Sequence, residues 1–205
     1  MGYSQNNEES WIESYFRNQD QNNLVCLDIG ANDGKTLSNT LACIERGWFG
    51  CMVEPSKEVF KRLLKQHYQN EKVECFNVAI ATENGTAVMF ESGEHLGKGD
   101  HSLLSSLKES ELARWKDETF TPVDVEVIDF QTLAKQSQFA KFDLISIDAE
   151  GLDYEILTQI DLAAYGCQML IVESNSVEDE KYIEYAKSFG MRLLQKNFEN
   201  LVFVI

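Results

Sequence analysis

The chain has few cysteines and no run of apolar residues long enough to cross a membrane. Its five cysteines include no C-x-x-C pair, so the sequence predicts neither a disulfide framework nor a zinc site. No stretch approaches the roughly eighteen apolar residues of a membrane span. The first residues do not show a basic segment followed by an apolar one, as a signal peptide would. We therefore expect a cytoplasmic protein.

Basic residues are also scarce, because 18 Lys and Arg stand against 34 Asp and Glu and give a formal net charge of −16. Binding to nucleic-acid phosphates requires clustered basic side chains, so this balance argues against a nucleic-acid partner. The segment around Trp11 predicts an amphipathic helix at about residues 8–19, whose acidic residues disfavour a membrane surface. At 205 residues and 43% hydrophobic, the chain fits a single domain over residues 1–205.

Residues 24–36, with the sequence LVCLDIGANDGKT, are the stretch around which the chain is organised. An apolar run without polar alternation predicts a strand covered on both faces, and it ends at Asp28 before Gly30 and Gly34. Apolar residues at helical spacing after the loop, from Leu37 onward, predict a helix. A strand, a glycine loop and a helix in this order predict a ligand crevice at the carboxyl end of the strand.

The glycines that are missing from this loop narrow the choice of ligand. A dinucleotide site has the pattern G-x-G-x-x-G, but Asn32 and Lys35 occupy the second and third glycine positions. A phosphate-binding P-loop fits no better, because the spacing is one residue short and Asp28 and Asp33 would repel phosphate. An acid at the strand end suits a cation. We therefore predict S-adenosylmethionine (SAM), which joins adenosine to a sulfonium and an amino group and has no phosphate.

Further strands are predicted to deliver side chains to the same edge. Residues 47–55 predict a second strand that ends at Glu54, 20 residues after Gly34, where an acid would meet the ribose hydroxyls. A third strand, residues 73–80, places Val78 and Ala79 toward the adenine. Two more apolar runs, residues 142–147 and 169–173, also end in carboxylates.

The segment between these strands is less regular. An extra strand is predicted at residues 85–91, and an alternating pattern at 123–128 predicts an edge or half-exposed strand. Residues 92–106 contain His95 and His101 and show no sustained periodicity, and a helix-like piece follows at about 108–117. We interpret the insertion at about residues 92–118 either as a mobile lid over the site or as a disordered surface loop.

The end of the chain carries two apolar segments, residues 191–196 and 201–205, with too few residues between them for a crossover helix. They are therefore predicted to be antiparallel. A mostly parallel seven-stranded α/β sheet that finishes with a C-terminal antiparallel β-hairpin is the class I methyltransferase, Rossmann-like fold. The tail therefore favours the same cofactor as the first loop.

Four motifs now stand in a recognisable order: DIGANDG at 28–34, VEP at 53–55, NVAI at 77–80 and IDAEG at 147–151. Together they resemble the FkbM-type SAM-dependent methyltransferases over about residues 24–173. The resemblance implies O-methylation of a hydroxyl on a sugar or natural-product acceptor, a small molecule or glycan. From the residues and the resemblance together we predict that SAM is bound by Asp28, Gly30, Ala31, Asn32, Gly34, Glu54, Pro55, Val78, Ala79 and Asp148.

Methyl transfer to a hydroxyl benefits from a general base near the strand ends. The candidate catalytic residues are Asp148, Glu150 and His101, with Glu173 also within reach. A metal ion is a second way to make a hydroxyl acidic, and Asp148, Glu173 and Asn175 offer oxygen ligands that Mg²⁺ accepts. Their spacing is not a dedicated metal motif, so we expect no metal.

Two other function classes stay open at this point. A non-catalytic SAM-binding scaffold would share the cofactor loop, although it would not need the additional strand-end acids. An NAD-linked oxidoreductase would share the sheet and an acid such as Glu54, but it requires the glycines that are absent at positions 32 and 35.

Overall fold

A computed structural model describes residues 2–175 and 178–205 of the chain. Its centre is a seven-stranded sheet with the strand order β3-β2-β1-β7-β8-β10-β9, numbered along the chain. These strands are β1 (Val25–Ile29), β2 (Phe49–Val53), β3 (Val73–Phe76), β7 (Leu144–Ile147), β8 (Met169–Glu173), β9 (Arg192–Lys196) and β10 (Asn200–Val204). The helices are α1 (Glu8–Phe16), α2 (Leu41–Glu45), α3 (Lys57–His67), α4 (Phe130–Gln136), α5 (Asp153–Leu157) and α6 (Asp179–Ser188).

The apolar runs of the sequence form the middle of this sheet. Strands β1, β7 and β8 are buried along their whole length, and β7 pairs in parallel with β1 on one side and with β8 on the other. One apolar cluster covers each face of the sheet, and the N-terminal helix α1 contributes Ile12 and Phe16 to one of them. Because both faces are covered, the strands need no polar alternation. The predicted parallel core is confirmed.

The predicted C-terminal hairpin is also confirmed. Strand β10 is antiparallel to both β8 and β9, with Asn200 opposite Glu173 and Val204 opposite Met169. Because β10 inserts between β8 and β9, it is fully buried, whereas every residue of the edge strand β9 is exposed.

The predicted third strand over residues 73–80 is divided in two. Its first half is β3 in the main sheet, and its second half is β4 (Ala79–Ile80) in a second sheet. The side-chain amide of Asn77 donates to the carbonyl oxygens of Glu54 and Pro55, at 2.8 and 3.0 Å. These bonds hold the chain where it leaves the main sheet.

The second sheet has three strands in the order β4-β6-β5, with β5 at Gly85–Ser92 and β6 at Phe120–Ile128. The predicted strands at 85–91 and 123–128 are therefore present. Strand β6 is half exposed, as predicted, but it is not an edge strand, because β5 pairs with it along its whole length and β4 pairs with its other side.

The prediction of a helix immediately after the glycine loop is wrong, since α2 begins only at Leu41. Leu37 has a left-handed backbone with φ of +57°. The Asp33 carboxylate accepts the backbone N–H groups of Lys35 and Thr36 at 2.9 and 2.6 Å, which forms a local turn in place of the first helical turn. The loop at the end of β1 is therefore longer than its apolar spacing indicated.

The remaining helix predictions are shorter in the structure. The N-terminal helix covers Glu8–Phe16 within the predicted 8–19. The helix-like piece at 108–117 is a 3₁₀ helix at Glu109–Arg114. Among the described helices, none combines the length and apolar character that a membrane span requires.

Candidate functional site

A cavity of about 210 Å³ lies at the carboxyl ends of the central parallel strands. Asp28, Glu54, Asp148 and Glu173, which stand at or just beyond the ends of β1, β2, β7 and β8, all line it. The edge of the sheet that the sequence predicted to carry acids is therefore the wall of a cavity. Nine of the ten predicted cofactor residues line it as well: Asp28, Gly30, Ala31, Asn32, Glu54, Pro55, Val78, Ala79 and Asp148.

Gly30 is required by a close approach between two strand ends. Its φ is +86°, and a Cβ atom at this position would lie 1.8 Å from the carbonyl oxygen of Asp148. The backbone N–H of Gly30 donates to the carbonyl of Val53 at 3.0 Å, which fixes the turn against β2. A glycine here lets the loop pass directly over the end of β7.

Gly34, the tenth predicted cofactor residue, has a different position. It is not among the described residues that line the cavity. Its φ is +74°, and a Cβ atom would lie 2.7 Å from Leu63 and 2.9 Å from His67, both on α3. The structure therefore places Gly34 where the loop packs against α3, on the side away from the cavity.

Glu54 is a buried carboxylate held by the backbone around it. Oε2 accepts the N–H of Asn32 at 3.0 Å, and Oε1 accepts the N–H of Ser56 at 2.7 Å. Burial raises the pKa of Glu54 to about 8, against the lowering effect of these two N–H groups. A carboxylate has about four acceptor positions, so both oxygens retain capacity for the hydroxyls of a ribose.

Asp28 at the end of β1 is likewise buried. The hydroxyl of Thr40 donates to its Oδ2 at 2.6 Å. Burial raises the pKa of Asp28 to about 6, although this hydrogen bond and one from Ser146 oppose the shift. Asp28 thus places a carboxylate in the cavity, and none of its described contacts is with a positively charged group.

An apolar wall stands next to these acids. It is formed by the chain between the two sheets and by the second sheet itself, where Val78, Ala79, Ile80 and Met89 line the cavity. Burial of a flat aromatic base against such side chains is favourable because it removes apolar surface from water. Val78 and Ala79 therefore belong to an apolar surface of the cavity.

A cluster of three carboxylates follows the ends of β7 and β8. Asp148, Glu150 and Glu173 each offer an oxygen within 4.8 Å of the others. Oε2 of Glu150 and Oε2 of Glu173 are buried and have no hydrogen-bond partner among the described residues. Arg114 approaches the cluster, with Nη1 4.0 Å from Oε2 of Glu150.

The cluster has more negative charge than its surroundings neutralise. The side chain of Asp148 is accessible from the cavity, but the surrounding protein shields it from bulk water. This shielding, together with the negative charges of Asp153 and Asp28, raises the pKa of Asp148 to about 7. Burial, followed by repulsion from Asp148, raises the pKa of Glu150 and of Glu173 well above their ordinary values. Such a cluster favours a cation.

The three oxygen donors that the sequence offers to a metal ion, Asp148, Glu173 and Asn175, are only partly brought together. Asp148 and Glu173 belong to the cluster, but the third member is Glu150. The amide of Asn175 instead donates to Oε1 of Glu173 at 2.6 Å. Glu150 reaches the cluster with a left-handed backbone, φ +45°.

The insertion at 92–118 has internal structure. The Asp100 carboxylate accepts the backbone N–H groups of His95 at 2.8 Å, Leu96 at 3.0 Å and Lys98 at 3.3 Å. Although partial removal from water acts in the opposite direction, these bonds lower the pKa of Asp100 below its ordinary value. Leu96, Leu103, Leu104 and Leu107 of the same insertion line the cavity.

This arrangement leads to a prediction about dynamics. We expect amide hydrogen exchange in residues 92–106 to slow when cofactor and acceptor are both present, because a cover that contacts both ligands opens less often. Exchange measured by mass spectrometry checks this, with the α6 peptides as an internal control. Equal exchange rates with and without the ligands would identify the insertion as a surface feature and not as a lid.

The two histidines of the insertion have different surroundings. Nε2 of His101 lies 3.7 Å from Oε2 of Glu91, and His101 is not among the described residues that line the cavity. Its carbonyl oxygen accepts the side-chain amide of Asn32 at 3.0 Å. His95 does line the cavity, and its Nδ1 lies 2.6 Å from Oε1 of Glu118.

Several cavity residues had no sequence signal. Arg114 and Trp115 lie in and after an irregular 3₁₀ segment without periodicity. Gln5 reaches the cavity because its amide donates to Glu199 at 2.6 Å, in the turn between β9 and β10. A contact between the two ends of the chain cannot be inferred from local pattern.

The profile of the methyltransferase FkbM domain matches residues 28–199. The chain belongs to the FkbM methyltransferase family. Family membership points to SAM as the cofactor, and the resemblance noted in the sequence is confirmed. Among curated proteins, none is similar enough to this chain to count as a match.

Solved structures support the fold of this FkbM-family chain. The METTL16 MTase domain is 10% identical with a TM-score of 0.53, and the match covers 96% of this chain and 65% of that domain, so the chain spans less than two thirds of it. The precorrin 8w decarboxylase of Methanobacterium thermoautotrophicum is 14% identical with a TM-score of 0.50, and the match covers 100% of this chain and 92% of the other. The class I methyltransferase fold is confirmed.

The residues present fit SAM. Glu54 has free acceptor capacity for a ribose, the apolar wall suits an adenine, and Asp28 and the carboxylate cluster favour a sulfonium and an ammonium group. Among the described residues that line the cavity, Arg114 is the sole arginine or lysine, and its Nη1 lies 4.0 Å from Oε2 of Glu150.

Proposed function

We propose that this chain transfers a methyl group from SAM to a hydroxyl of a small-molecule or glycan acceptor. The observation that carries the proposal is that one cavity joins the cofactor loop and Glu54 to the cluster of Asp148, Glu150 and Glu173. The cofactor part alone would serve a binding protein. The additional carboxylates, two with unpartnered buried oxygens, favour an enzyme over a scaffold.

The cofactor is held by the ends of β1, β2 and β7. The loop through Gly30, Ala31 and Asn32 provides the floor, Glu54 accepts the ribose hydroxyls, and Val78 and Ala79 contact the adenine. Pro55, which also lines the cavity, stops β2 beside Glu54. Asp148 stands where it can bind the cationic end of the cofactor.

When bound, SAM supplies an electrophilic methyl group on a sulfonium. The chain must hold the acceptor oxygen in line with that methyl group, at about 3 Å, and exclude water. The insertion at 92–118 covers the cavity and performs the second task. Glu150, turned toward the cluster by its left-handed backbone, faces the acceptor.

Asp148 and Glu150 have different tasks in this proposal, because two adjacent carboxylates repel each other when both are ionised. Asp148 neutralises the cofactor's positive charge. Burial, and then repulsion from Asp148, raise the pKa of Glu150 well above its ordinary value, and Glu150 faces the acceptor. Binding of the cofactor cation lowers the pKa of both groups, after which either carboxylate is a candidate base. His101 is a candidate base only if the insertion rearranges.

The test is methyl transfer to a panel of acceptors that includes neutral sugars, amino sugars and hydroxylated polyketides, with isotopically labelled SAM. We expect label in at least one hydroxyl-bearing acceptor and its loss in Asp148→Asn. If the chain binds SAM but labels nothing in the panel, the scaffold alternative is favoured.

We also expect activity to survive complete chelation of divalent metals. The reason is that the bound sulfonium compensates the charge of Asp148, while Glu150 and Glu173 retain protons more readily than free carboxylates do. Activity measured in EDTA, then after addition of Mg²⁺, checks this. Loss of activity that Mg²⁺ restores would mean that these three carboxylates bind a metal ion and that our metal-free expectation is wrong.

A further inference from the structure

His95 is a cavity residue that neither the family motifs nor the carboxylate cluster includes. We propose that His95, oriented by Glu118, is the base that accepts the proton of the acceptor hydroxyl. This inference rests on the methyl transfer proposed above and names the residue that assists it.

The hydrogen bond between His95 and Glu118 determines which ring nitrogen is available. Nδ1 of His95 lies 2.6 Å from Oε1 of Glu118. An ionised carboxylate only accepts, so Nδ1 carries the proton and Nε2 keeps a free lone pair. A base whose second nitrogen is held by a carboxylate is the usual arrangement of a histidine that removes a proton from a hydroxyl.

Contacts of the His95 backbone and of its ring place this residue in the cavity wall. The backbone N–H of His95 donates to Asp100 at 2.8 Å, and its ring meets the edge of Trp115 with the centroids 5.5 Å apart. Arg114 lies over the same Trp115 ring at 5.5 Å and reaches Glu150 at 4.0 Å. His95 therefore belongs to the wall that continues into the carboxylate cluster.

The other candidates are less suited to accept this proton. The ring of His101 faces Glu91, and His101 does not line the cavity. Burial and mutual repulsion raise the pKa of Glu150 and of Glu173 well above their ordinary values, so these groups retain protons more readily than free carboxylates do. Histidine is the side chain that ordinarily changes protonation nearest neutral pH.

In the proposed step, the acceptor hydroxyl loses its proton and gains the methyl group. The O–H bond of the acceptor breaks, and its proton goes to Nε2 of His95, which becomes an imidazolium beside the Glu118 carboxylate. The electron pair of the oxygen forms the new C–O bond. The C–S bond breaks, and its electron pair stays on the sulfur of the cofactor, which becomes a neutral thioether.

The activity test compares His95→Ala, His95→Gln and Glu118→Ala with Lys98→Ala, an exposed residue of the same insertion, on the best acceptor of the panel. We expect His95→Ala and His95→Gln to lower kcat about 10²- to 10⁴-fold with SAM affinity changed less than about twofold. Added imidazole should restore part of the kcat of His95→Ala, which a merely structural role would not allow. Lys98→Ala should retain the wild-type kcat.

Full kcat in His95→Ala, or loss in His101→Ala without loss in His95→Ala, would overturn the assignment. Absence of methyl transfer by the wild type on the whole panel would instead be a failure of the proposed function. The two failures are therefore distinguishable.

A second measurement needs no acceptor. The chain has only three histidines, so ¹⁵N shifts of their ring nitrogens can be assigned with single variants. We expect the neutral His95 ring to carry its proton on Nδ1, and Glu118→Ala to move that proton toward Nε2 without changing His67. A neutral His95 protonated on Nε2 in the wild type would overturn the proposal, because no lone pair would face the acceptor.

Discussion

Gly30→Ala is expected to destabilise the protein by at least about 3 kcal/mol and to abolish cofactor binding in any molecules that still fold. The φ of +86° alone disfavours a side chain, and the new Cβ would also lie 1.8 Å from the carbonyl oxygen of Asp148. That oxygen belongs to the backbone, so relief requires the ends of β1 and β7 to separate. The free energy of unfolding from urea denaturation checks this.

Gly190→Ala is the matched control. Gly190 has a similar φ of +81°, after the end of α6, and a Cβ there would meet nothing within 4 Å. This variant isolates the cost of the left-handed backbone, roughly 1 kcal/mol. Equal losses in the two variants would show that the contact between Gly30 and Asp148 does not matter for stability.

In the absence of ligands, the protein is expected to become less stable as the pH rises from 5 to 8. Burial raises the pKa of Glu54 to about 8, and that of Asp148, with help from its neighbours, to about 7. Between the ordinary values, near 4, and these values the unfolded chain has released protons that the folded chain retains. Stability is therefore complete below about pH 4 for these groups and is lost as the pH rises through the folded-state values.

Glu54 alone accounts for an expected loss of roughly 3 kcal/mol in the free energy of unfolding over this range, and Asp148 adds less because its side chain is open to the cavity. Glu54→Gln should reduce the slope because the amide does not titrate, whereas Gln at the exposed position of Glu126 should leave it unchanged. Saturating SAM should also flatten the curve, since a bound cation stabilises the ionised carboxylates. If the free energy of unfolding instead rises from pH 5 to 8, the folded protein ionises Glu54 and Asp148 as easily as the unfolded chain does, and the prediction is wrong.

The sequence predicted those parts of the fold that depend on pattern along the chain. Apolar runs that end in acids predicted the strands β1, β2, β7 and β8. The order of these strands in the sheet brings Asp28, Glu54, Asp148 and Glu173 to one cavity. The short connection between the last two strands was sufficient to predict their antiparallel pairing. In each case, neighbouring residues determine the structure.

Features that depend on individual side-chain contacts, local or between distant segments, were not predicted. Asp33 replaces the first helical turn after the glycine loop by a local turn, and Asn77 separates β3 from β4. Gly34 has the spacing of a ligand-binding glycine, but α3 packs against it. The sequence favours His101 as a candidate base because no local pattern shows that Glu118, 23 residues after His95, holds the His95 ring at the cavity wall.

Calorimetric titration of SAM onto the wild-type chain and Glu54→Ala tests the central claim most directly, namely that the acids at the strand ends form a SAM site. We expect saturable binding at one site per chain, weakened in Glu54→Ala by about 1.5–3 kcal/mol, or roughly tenfold to 150-fold, because a charge-assisted contact to the ribose is lost. Ala at the exposed position of Glu126 should not change the affinity. Absence of binding heat over a range of temperatures, or equal affinity of the wild type and Glu54→Ala, would contradict the account.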